Sequence, residues 1–451
     1  MPAIKPGLAN SRGGELALSS AQQRVAGFRE LLGHARDRLG LEVGFVLWDG
    51  STVPAGLAPD AFAIRFADEG AVAALMRRPT LETLAHLWVA RRVDQINGTL
   101  FDLANVKRTK RTRDFLRTLD KGLVMRALFP FLFVPKGGPW PLATQPTDRR
   151  NTGDPSENRQ NIAYHYDVSN AFYALWLDKE MVYTCAYCTD WSNDVDQMQQ
   201  DKLEMICRKL RLKPGERMLD IGCGWGAVSC YAAQKYGVIA HGVTLSEQQV
   251  AYGQEKVKRL GLQDRVKIEL KDYSLVEGEG VYDKIASIGI QEHIGVDNYP
   301  KYYETLKRLL KPDGLVLHHA ITWPGKQKHQ NFKRRRTEGK LFNKYIFPGG
   351  DLDYIGNTVT MLERHGFEVH DVEAWREHYQ RTCRHWHDRL LKNYDKAVAE
   401  VGEPKTRMWL AYLAVSSIMF ERNRFGLHQT LASKRRKGPS GLPPTRADLY
   451  R

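Results

Sequence analysis

Apolar and polar positions follow one another with a regular period in the second half of the chain. Apolar residues at helical spacing predict helices over residues 198–210, 227–236, 247–260 and 299–310. Between these helices, short runs rich in β-branched residues predict strands, namely RMLDIGC, VIAHGVT, VKIEL, KIASIG and GLVLHHA. Strands that alternate with helices of this length form βαβ units around a parallel sheet. Ligands of such sheets bind beyond the carboxyl ends of the strands.

The amino-terminal part of the chain has a mixed pattern. A helical pattern covers Leu18–Leu39, the segments GFVLWDG and FAIRFA have strand-like composition, and further helices are predicted from Leu81 to Leu103. The basic segment Lys107–Lys121 then precedes the apolar run LVMRALFPFLFVP. Such a pair is typical of a membrane interface, and equally of a solvated helix that leads into a core segment. We find no catalytic motif in this part.

A change of composition marks the domain boundary. The stretch PKGGPWPLATQPTDRRNTGDP is rich in Pro, Gly, Thr and Asp and has no periodicity, which is typical of a linker. We therefore expect an amino-terminal domain over residues 1–134, a linker over 135–157 and a catalytic domain over 158–433. The basic residues of KRRK and the PSGLPP that follows predict a mobile tail over residues 434–451.

Charge and cysteine usage narrow the possible partners and the compartment. The chain of 451 residues has 67 Lys and Arg against 52 Asp and Glu, a formal net charge of +15. Such a charge favours polyanionic partners, either nucleic acid or an anionic membrane surface, and cannot by itself decide between them. The six cysteines have no regular spacing, which favours reduced thiols and a cytoplasmic protein. No apolar stretch reaches the roughly 20 residues that a membrane-spanning helix needs.

The motif DIGCGWG at residues 220–226 is the sharpest local signal. A strand ends at Asp220, and glycines at 222, 224 and 226 precede a helix, so that a ligand can approach the backbone and the free amides of the helix amino terminus. Gly222, Gly224 and Ala227 also satisfy the dinucleotide pattern G-x-G-x-x-G/A. Asp220, the additional Gly226 and a threonine at 244, where a dinucleotide site would have an acidic residue, favour S-adenosylmethionine instead.

Five motifs in order resemble those of cyclopropane-fatty-acyl-phospholipid synthases and the related mycolic-acid cyclopropane synthases. They are NIAYHYDVSNAFYALWLDKEMVYTCAYC (161–188), LDIGCGWG (219–226), GVTLSEQQ (242–249), SIGIQEHIG (287–295) and NKYIFPGG (343–350). The resemblance extends from residue 158 to the carboxyl terminus. It implies an α/β fold: a Rossmann-like class I methyltransferase domain with a mixed, mostly parallel seven-stranded sheet. It also implies a smaller amino-terminal α+β domain that binds lipid.

The resemblance implies an enzyme that transfers the methyl group of S-adenosylmethionine to the cis double bond of a phospholipid acyl chain. Loss of a proton then closes a cyclopropane ring. Because an isolated alkene is a poor nucleophile, the site must hold it in line with the sulfonium methyl in a dry pocket. A base must also collect one proton at short range, and in this family that base is taken to be a bound bicarbonate ion.

The residues carried over from the family fall into two sets. The catalytic set would hold the bicarbonate ion and consists of Cys185, Glu292, His319, the backbone at Ile321, and Tyr379. A carboxyl, an imidazole, a phenol and backbone groups can fix a small oxyanion. The like charge of that anion is expected to raise the pKa of Glu292, so that the acid can donate a proton. The set for S-adenosylmethionine consists of Tyr183, Thr184, Asp220, Gly222, Gly224, Gly226, Thr244, Gln249, Asp272 and Tyr273.

Several of these residues also have a purely structural interpretation. Cys185 and Cys188 form a C-x-x-C pair, which could indicate zinc, redox chemistry or a nucleophile. Because no second cysteine pair accompanies them, we expect no metal. His318 and His319 are adjacent on a strand and point to opposite faces, so that one of them can line the site. Tyr379 without the resemblance would be a packed helical tyrosine.

The expected partners are an anionic phospholipid membrane surface and unsaturated acyl chains, with the protein at the inner face of the membrane. The basic segment Lys326–Lys344 is either a solvated loop or a collar that draws the site onto lipid headgroups. A homodimer is compatible with the sequence. One departure from the family pattern is Gln291, which stands where the common motif has a phenylalanine and changes the polarity of the pocket.

Other functions remain open at this point. The same methyl transfer could give methyl-branched or methylene fatty acids. A nucleic-acid methyltransferase would suit the charge, but the place after the fourth strand holds SIGIQEHIG rather than an Asn or Asp followed by Pro-Pro and an aromatic residue, so we expect no nucleic acid. A basic lipid-binding protein with a vestigial fold is the non-catalytic alternative.

Overall fold

The computed structural model describes residues 19–107, 120–138, 141, 154, 168–325, 344–346 and 350–450. The chain divides into two compact units, Met1–Pro141 and Leu142–Arg451, and the division falls inside the stretch predicted as a linker. The basic segments Lys107–Lys121 and Lys326–Lys344 lie mostly outside the described residues, as does the first part of the motif at 161–188. In the parts of the chain that the structure describes, no helix is long and apolar enough to span a bilayer.

The first unit is a small α+β fold. Its helices are α1 (Ser20–Leu39), α2 (Glu69–Arg77), α3 (Leu81–Val89), α4 (Leu100–Asn105) and α5 (Lys121–Leu128), followed by a 3₁₀ turn at Phe129–Phe133. Its strands are β1 (Gly44–Val46), β2 (Thr52–Val53), β3 (Ala63–Phe66) and β4 (Val93–Ile96), which pair in the order β2-β1-β3-β4 within the described residues. The prediction of helices throughout 81–103 is wrong for β4, whose Val93 and Asp94 are buried and pair with β3.

Four large apolar side chains of this unit are exposed next to one another in sequence. Met125 on α5 is 62% exposed, and in the following turn Phe129, Leu132 and Phe133 are 51%, 46% and 79% exposed. The rings of Phe129 and Phe133 meet edge to face at 5.8 Å. Arg77 holds the turn by donating to the carbonyl oxygens of Leu132 and Val134 at 2.7 and 2.6 Å. We call these four side chains the apolar patch.

The second unit consists of one sheet between two layers of helices. Its helices are α6 (Asn170–Ala174), α7 (Val195–Leu210), α8 (Ala227–Tyr236), α9 (Glu247–Arg259), α10 (Gln291–Ile294), α11 (Tyr299–Leu309), α12 (Ile355–Arg364), α13 (Arg376–Lys392), α14 (Tyr394–Val401) and α15 (Glu403–Glu421). Its strands are β5 (Arg217–Ile221), β6 (Ile239–Thr244), β7 (Val266–Leu270), β8 (Tyr282–Ile288), β9 (Leu310–Thr322), β10 (Phe367–Ala374) and β11 (Gly426–Lys434).

The sheet has the order β10-β11-β9-β8-β5-β6-β7 across the described residues. The five strands from β9 to β7 are parallel, and β11 lies antiparallel between β9 and β10. This confirms the predicted mixed, mostly parallel sheet of seven strands. The strand order reverses between β5 and β8, which is the position where open α/β sheets bind ligands.

Alternation along the strands explains the two helical layers. On β5, Met218 packs with α7, α8 and α9, whereas the next residue, Leu219, packs with α11 on the opposite face. Both side chains are fully buried, as expected for a parallel strand that is covered on both faces. Both faces of the sheet are therefore covered by helices, and a ligand can reach it only at the carboxyl ends of the strands.

The carboxyl-terminal residues differ from the prediction of a mobile tail. Leu449 is 1% exposed, and its carbonyl oxygen accepts from Arg208 at 3.2 Å. Asp448 forms an ion pair with Arg211, and Arg446 pairs with Asp371 of β10. Residues 446–450, which follow the basic and proline-rich stretch, are therefore attached by specific contacts to α7, to Arg211 just after it and to β10.

Candidate active site

A cleft opens at the carboxyl ends of β5, β6 and β8, where the strand order reverses. It contains about 630 Å³ of space, part of which is open to solvent. Six of the ten residues predicted for S-adenosylmethionine line it, namely Gly222, Gly224, Thr244, Gln249, Asp272 and Tyr273. Sequence reasoning did not assign Lys271, Ile290, His293 and Ile294, which also line it. The apolar residues that line the cleft suit an adenine ring, and the polar residues suit the ribose hydroxyls and the charged methionine part of S-adenosylmethionine.

The glycine loop brings the backbone against the opposite wall of the cleft. Gly222 has φ +68°, and a Cβ atom at this position would lie 1.8 Å from Cδ1 of Ile290. The φ angle and the close approach both require glycine here. Thr244 and Gln249 share a hydrogen bond of 2.7 Å across the start of α9, which fixes two polar side chains on the cleft wall.

Asp220 and Gly226 do not line the cleft, although both belong to the predicted set. Asp220 is buried and accepts a hydrogen bond of 2.8 Å from the Ser229 hydroxyl, which ties β5 to the first turn of α8. Burial raises the pKa of Asp220 to about 6. Gly226 precedes the first residue of α8. Both residues therefore shape the loop and do not face the ligand space.

Tyr183 and Thr184 lie beside the cleft. A Cβ atom on Gly289, next to Ile290, would lie 2.8 Å from Cγ2 of Thr184. Tyr183 packs among aromatic side chains, with ring centroids 5.3 Å from both Trp176 and Trp386. The segment that carries these two residues is thus fixed against the loop that follows β8.

Two buried side chains of α7 form hydrogen bonds with the segment that carries Tyr183 and Thr184. Lys202 is fully buried, and its Nζ donates to the Thr184 hydroxyl oxygen at 2.9 Å. Gln199 donates from Nε2 to the carbonyl oxygens of Val182 and Thr184 at 3.3 and 3.0 Å. Because the Thr184 oxygen accepts from Lys202, its hydrogen is left to donate elsewhere. Lys202 therefore orients a hydroxyl that was predicted to hold the cofactor.

Replacing Lys202 with methionine is expected to weaken S-adenosylmethionine binding by about 10- to 100-fold, the usual cost of a lost hydrogen bond to a charged group. Isothermal titration calorimetry on the full-length protein measures this. Lys284→Met is the control, because Lys284 is also a buried lysine. It lies 3.7 Å from Glu216, at the end of β8 away from the cleft. Equal affinity in the two variants would contradict the role of Lys202.

A second group of predicted residues meets at the end of β9. Glu292 on α10 is 6% exposed, and its Oε1 accepts from the backbone amide of Ile321 at 2.6 Å. Its other oxygen, Oε2, is buried and has no hydrogen-bond partner among the described residues. Burial raises the pKa of Glu292 to about 7, so that no like charge is needed for this shift. The Ile321 amide, predicted to hold the anion, is engaged by Glu292 instead.

His319 presents a second buried atom without a partner. Its Nδ1 faces Nε2 of Gln429 at 3.1 Å, and its ring lies edge-on to Trp375 at 5.5 Å. Nε2 of His319 is buried and has no partner among the described residues. Burial lowers the pKa of His319 well below the usual value, and therefore the ring is neutral near pH 7.

Cys185 and Tyr379 complete this group. The Cys185 thiol is fully buried, 3.1 Å from the carbonyl oxygen of Ala186 and 3.8 Å from that of Trp375. Tyr379 lies one helical turn after Trp375. Burial raises the pKa of its phenol well above the usual value, and the neighbouring Cys383, Tyr412, Cys185 and Glu292 raise it further. We call Cys185, Glu292, His319 and Tyr379 the anion cluster.

His318 faces away from the anion cluster, as expected for its place on the strand. It interacts through Nδ1 with the Tyr302 hydroxyl at 3.1 Å and through Nε2 with the amide oxygen of Gln291. Gln291 also donates to Thr358 at 3.3 Å. The polar residue that departs from the family pattern therefore belongs to a buried network on the other face of β9.

Cys188 is engaged apart from Cys185. Its thiol lies 2.7 Å from the carbonyl oxygen of Asp190, and its amide donates to His378 at 2.9 Å. Both cysteines are free thiols. Across the described ranges, no group of three His, Cys, Asp or Glu side chains is arranged to hold a metal ion.

Comparisons with known proteins identify the family of the chain. Residues 154–430 match the family of mycolic acid cyclopropane synthetases. A probable fatty acid methyltransferase of Pseudomonas putida is 41% identical over 309 residues, which cover 68% of this chain and 77% of that protein. The cyclopropane-fatty-acyl-phospholipid synthase of Escherichia coli K12 is 36% identical over 270 residues, 60% of this chain and 66% of that protein.

A solved structure extends the match to the fold. The mycolic acid cyclopropane synthase CmaA1, complexed with SAH and CTAB, superposes with a TM-score of 0.57 at 30% identity. The alignment covers 61% of this chain and 98% of that structure. The family match spans more than half of the chain and includes the cleft and the anion cluster. The chain therefore belongs to the mycolic acid cyclopropane synthetase family and is an S-adenosylmethionine-dependent methyltransferase.

Proposed function

We propose that this enzyme converts cis double bonds in the acyl chains of membrane phospholipids into cyclopropane rings, and that the anion cluster holds a bicarbonate ion as the base. The observation that carries the proposal is the pair of buried atoms without partners, Oε2 of Glu292 and Nε2 of His319. A buried polar atom without a partner is costly, and a bound anion would satisfy a protonated carboxyl and an imidazole N–H together.

The chemistry divides between the two groups of residues. S-adenosylmethionine, when bound in the cleft, supplies an electrophilic methyl group, and bicarbonate supplies a proton acceptor. The glycine loop, Thr244 and Gln249 orient the cofactor. Glu292 and His319 donate hydrogen bonds to the anion and keep it in one pose. The closely packed aromatic residues around Tyr183 exclude water, which would otherwise compete for the cation formed on the acyl chain.

A product assay tests the reaction. The full-length protein is incubated with S-adenosylmethionine and vesicles of cis-monounsaturated anionic phospholipid. The acyl chains are then released, and their molecular masses are measured before and after catalytic hydrogenation. A gain of one CH₂ that takes up no hydrogen supports ring closure. The same gain with hydrogen uptake means a methylene group or a methyl branch on a chain that keeps a double bond, in line with the name of the Pseudomonas putida relative. If the mass of the acyl chains does not change, the proposal of a lipid substrate is wrong.

The apolar patch is our candidate for membrane contact. Two exposed phenylalanines, a leucine and a methionine are flanked by the exposed cations Lys121, Arg126 and Lys136. Apolar side chains that insert into the acyl region, with cations at the level of anionic headgroups, are typical of interfacial segments. The net charge of +15 favours the same surface.

Replacing both Phe129 and Phe133 with serine is expected to weaken binding to anionic phospholipid vesicles by about 100-fold or more, since each inserted phenylalanine contributes about 1.5–3 kcal/mol. Vesicle sedimentation at fixed salt measures this. Thermal stability is expected to remain unchanged, because both side chains are exposed. Leu84→Ser is the control, as Leu84 is a 39% exposed apolar residue on α3 of the same unit. Unchanged vesicle binding of the double variant would show that the apolar patch does not contact the membrane.

A further inference from the structure

A continuous row of polar side chains, buried except for the first, leads from β10 to the anion cluster. Lys209 on α7 forms an ion pair with Glu373, and its side chain is 1% exposed. Nζ of Lys209 also donates to Oε1 of Gln429 at 2.8 Å. Gln429 is fully buried on β11, and its Nε2 lies 3.1 Å from Nδ1 of His319. Four elements, α7, β10, β11 and β9, thus contribute one residue each.

The chemistry of Lys209 fixes the direction of every hydrogen bond in this row. An ammonium group has donors only, and therefore the atom of Gln429 that faces it must be the amide oxygen. The amide nitrogen of Gln429 then faces His319 and donates. Nδ1 of His319 must accept, and in a neutral imidazole the proton is consequently on Nε2.

We propose that Lys209 and Gln429 are positioning residues that hold His319 in the tautomer with hydrogen on Nε2, so that it donates into the anion cluster. The inference rests on the proposed function, in which that cluster holds an anion. Nε2 is the atom of His319 that is buried without a partner, and a neutral ring offers it as a donor only in this tautomer. The opposite tautomer would present a lone pair, which repels the anionic oxygens of the ion.

The tautomer can be measured directly. Ring ¹⁵N resonances of labelled histidine distinguish a nitrogen that carries hydrogen from one that does not, and the signal of His319 among the 14 histidines is the one missing in a His319→Gln variant. In the wild-type protein we expect hydrogen on Nε2. In Gln429→Glu, a carboxylate that still pairs with Lys209 accepts from His319, and we expect hydrogen on Nδ1. Hydrogen on Nδ1 in the wild type, or an unchanged tautomer in Gln429→Glu, would overturn the inference.

Kinetics provide the second readout. In Gln429→Glu and Gln429→Leu, we expect the apparent affinity for bicarbonate to fall by about tenfold or more, the usual scale for loss of a residue that orients a ligand-binding histidine. Raised bicarbonate should restore part of the turnover, and the KM for S-adenosylmethionine should not change. Thr430→Val is the matched control, since Thr430 is the next residue on β11, is equally buried and has no bond to His319.

The two proposals fail in different ways. If turnover of the wild-type enzyme does not respond to bicarbonate, the proposed base is wrong, whereas the ¹⁵N resonances still decide whether Gln429 sets the tautomer. If bicarbonate stimulates the wild type and Gln429→Leu responds as Thr430→Val does, the anion site stands and the positioning role is excluded.

Discussion

Glu292→Ala is expected to lower turnover by about 10²–10³-fold, the scale seen when one preorganised hydrogen bond to a charged group is removed from a closed site. Glu292 accepts from the Ile321 amide with one oxygen, and its other oxygen is the one proposed to donate to the anion. Alanine loses both contacts. Binding of S-adenosylmethionine should be retained, because Glu292 does not line the cleft. Turnover and calorimetry on the same preparation separate the two effects.

Glu292→Gln should lose less and should change the pH profile. An amide keeps an oxygen for the Ile321 amide and offers an N–H where the protonated acid offers an O–H. Because burial raises the pKa of Glu292 to about 7, the donor form of the wild-type acid disappears as the pH rises through about 7. The kcat/KM of the wild type for lipid is therefore expected to decline there, and the same decline should be absent in Glu292→Gln.

The same pKa has a consequence for stability. The unfolded acid ionises near 4.5, whereas the folded acid keeps its proton up to about pH 7. Between these values the folded state binds more protons, so the free energy of unfolding of the wild type falls as the pH rises. Relative to Glu292→Gln, the loss should approach about 3 kcal/mol and be complete above pH 7. Urea unfolding at pH 5 and pH 8 measures it, and a difference independent of pH would contradict the buried acid.

Gly222→Ala is expected to weaken S-adenosylmethionine binding by about 100-fold, equivalent to about 3 kcal/mol. The new Cβ would lie 1.8 Å from Cδ1 of Ile290, so either the loop or Ile290 must shift within the cleft. The positive φ angle adds strain of about 1–2 kcal/mol. Calorimetric titration with S-adenosylmethionine measures the affinity. A second change, Ile290→Ala, removes the obstructing side chain and should restore part of it.

Gly215→Ala is the matched control for this experiment. Gly215 has φ +79°, and a Cβ atom there would meet nothing within 4 Å. It lies outside the cleft, in the turn before β5. The control therefore carries the backbone strain alone, with an expected loss of about 1 kcal/mol in stability and no change in affinity. An equal loss of affinity in both variants would show that the glycine loop does not form the cofactor site.

The elements around the glycine loop could be predicted because their signals are local. Helix α8 and strand β7 have the bounds that periodicity gave, and β5, β6 and α9 differ by one or two residues. Strand β5 is buried along most of its length, whereas the edge strand β7 alternates apolar with charged residues. Both patterns are local signals of a strand. The short strand β4 was missed because its four residues have an aspartate and a glutamine at their centre, and pairing with β3 outweighs that composition.

The residues that support the site could not be predicted from local pattern. Lys202 and Lys209 were part of a helix whose charged positions are normally solvated, and their partners lie far away in sequence. One signal was present: the two lysines are seven residues apart and share a helix face with Met205 and Ile206, which are buried. A lysine on an apolar face indicates a buried partner, but the sequence does not say which residue that partner is.

All six cysteines are buried free thiols, and burial raises the pKa of each of them. Alkylating reagents attack the thiolate, so both access and ionisation protect the folded protein. The rate of alkylation by iodoacetamide, followed by intact mass, would then report how often the second unit unfolds locally or globally. A cysteine introduced at an exposed position should react far faster than the native six, which allows a single fluorophore to be attached without removing any of them.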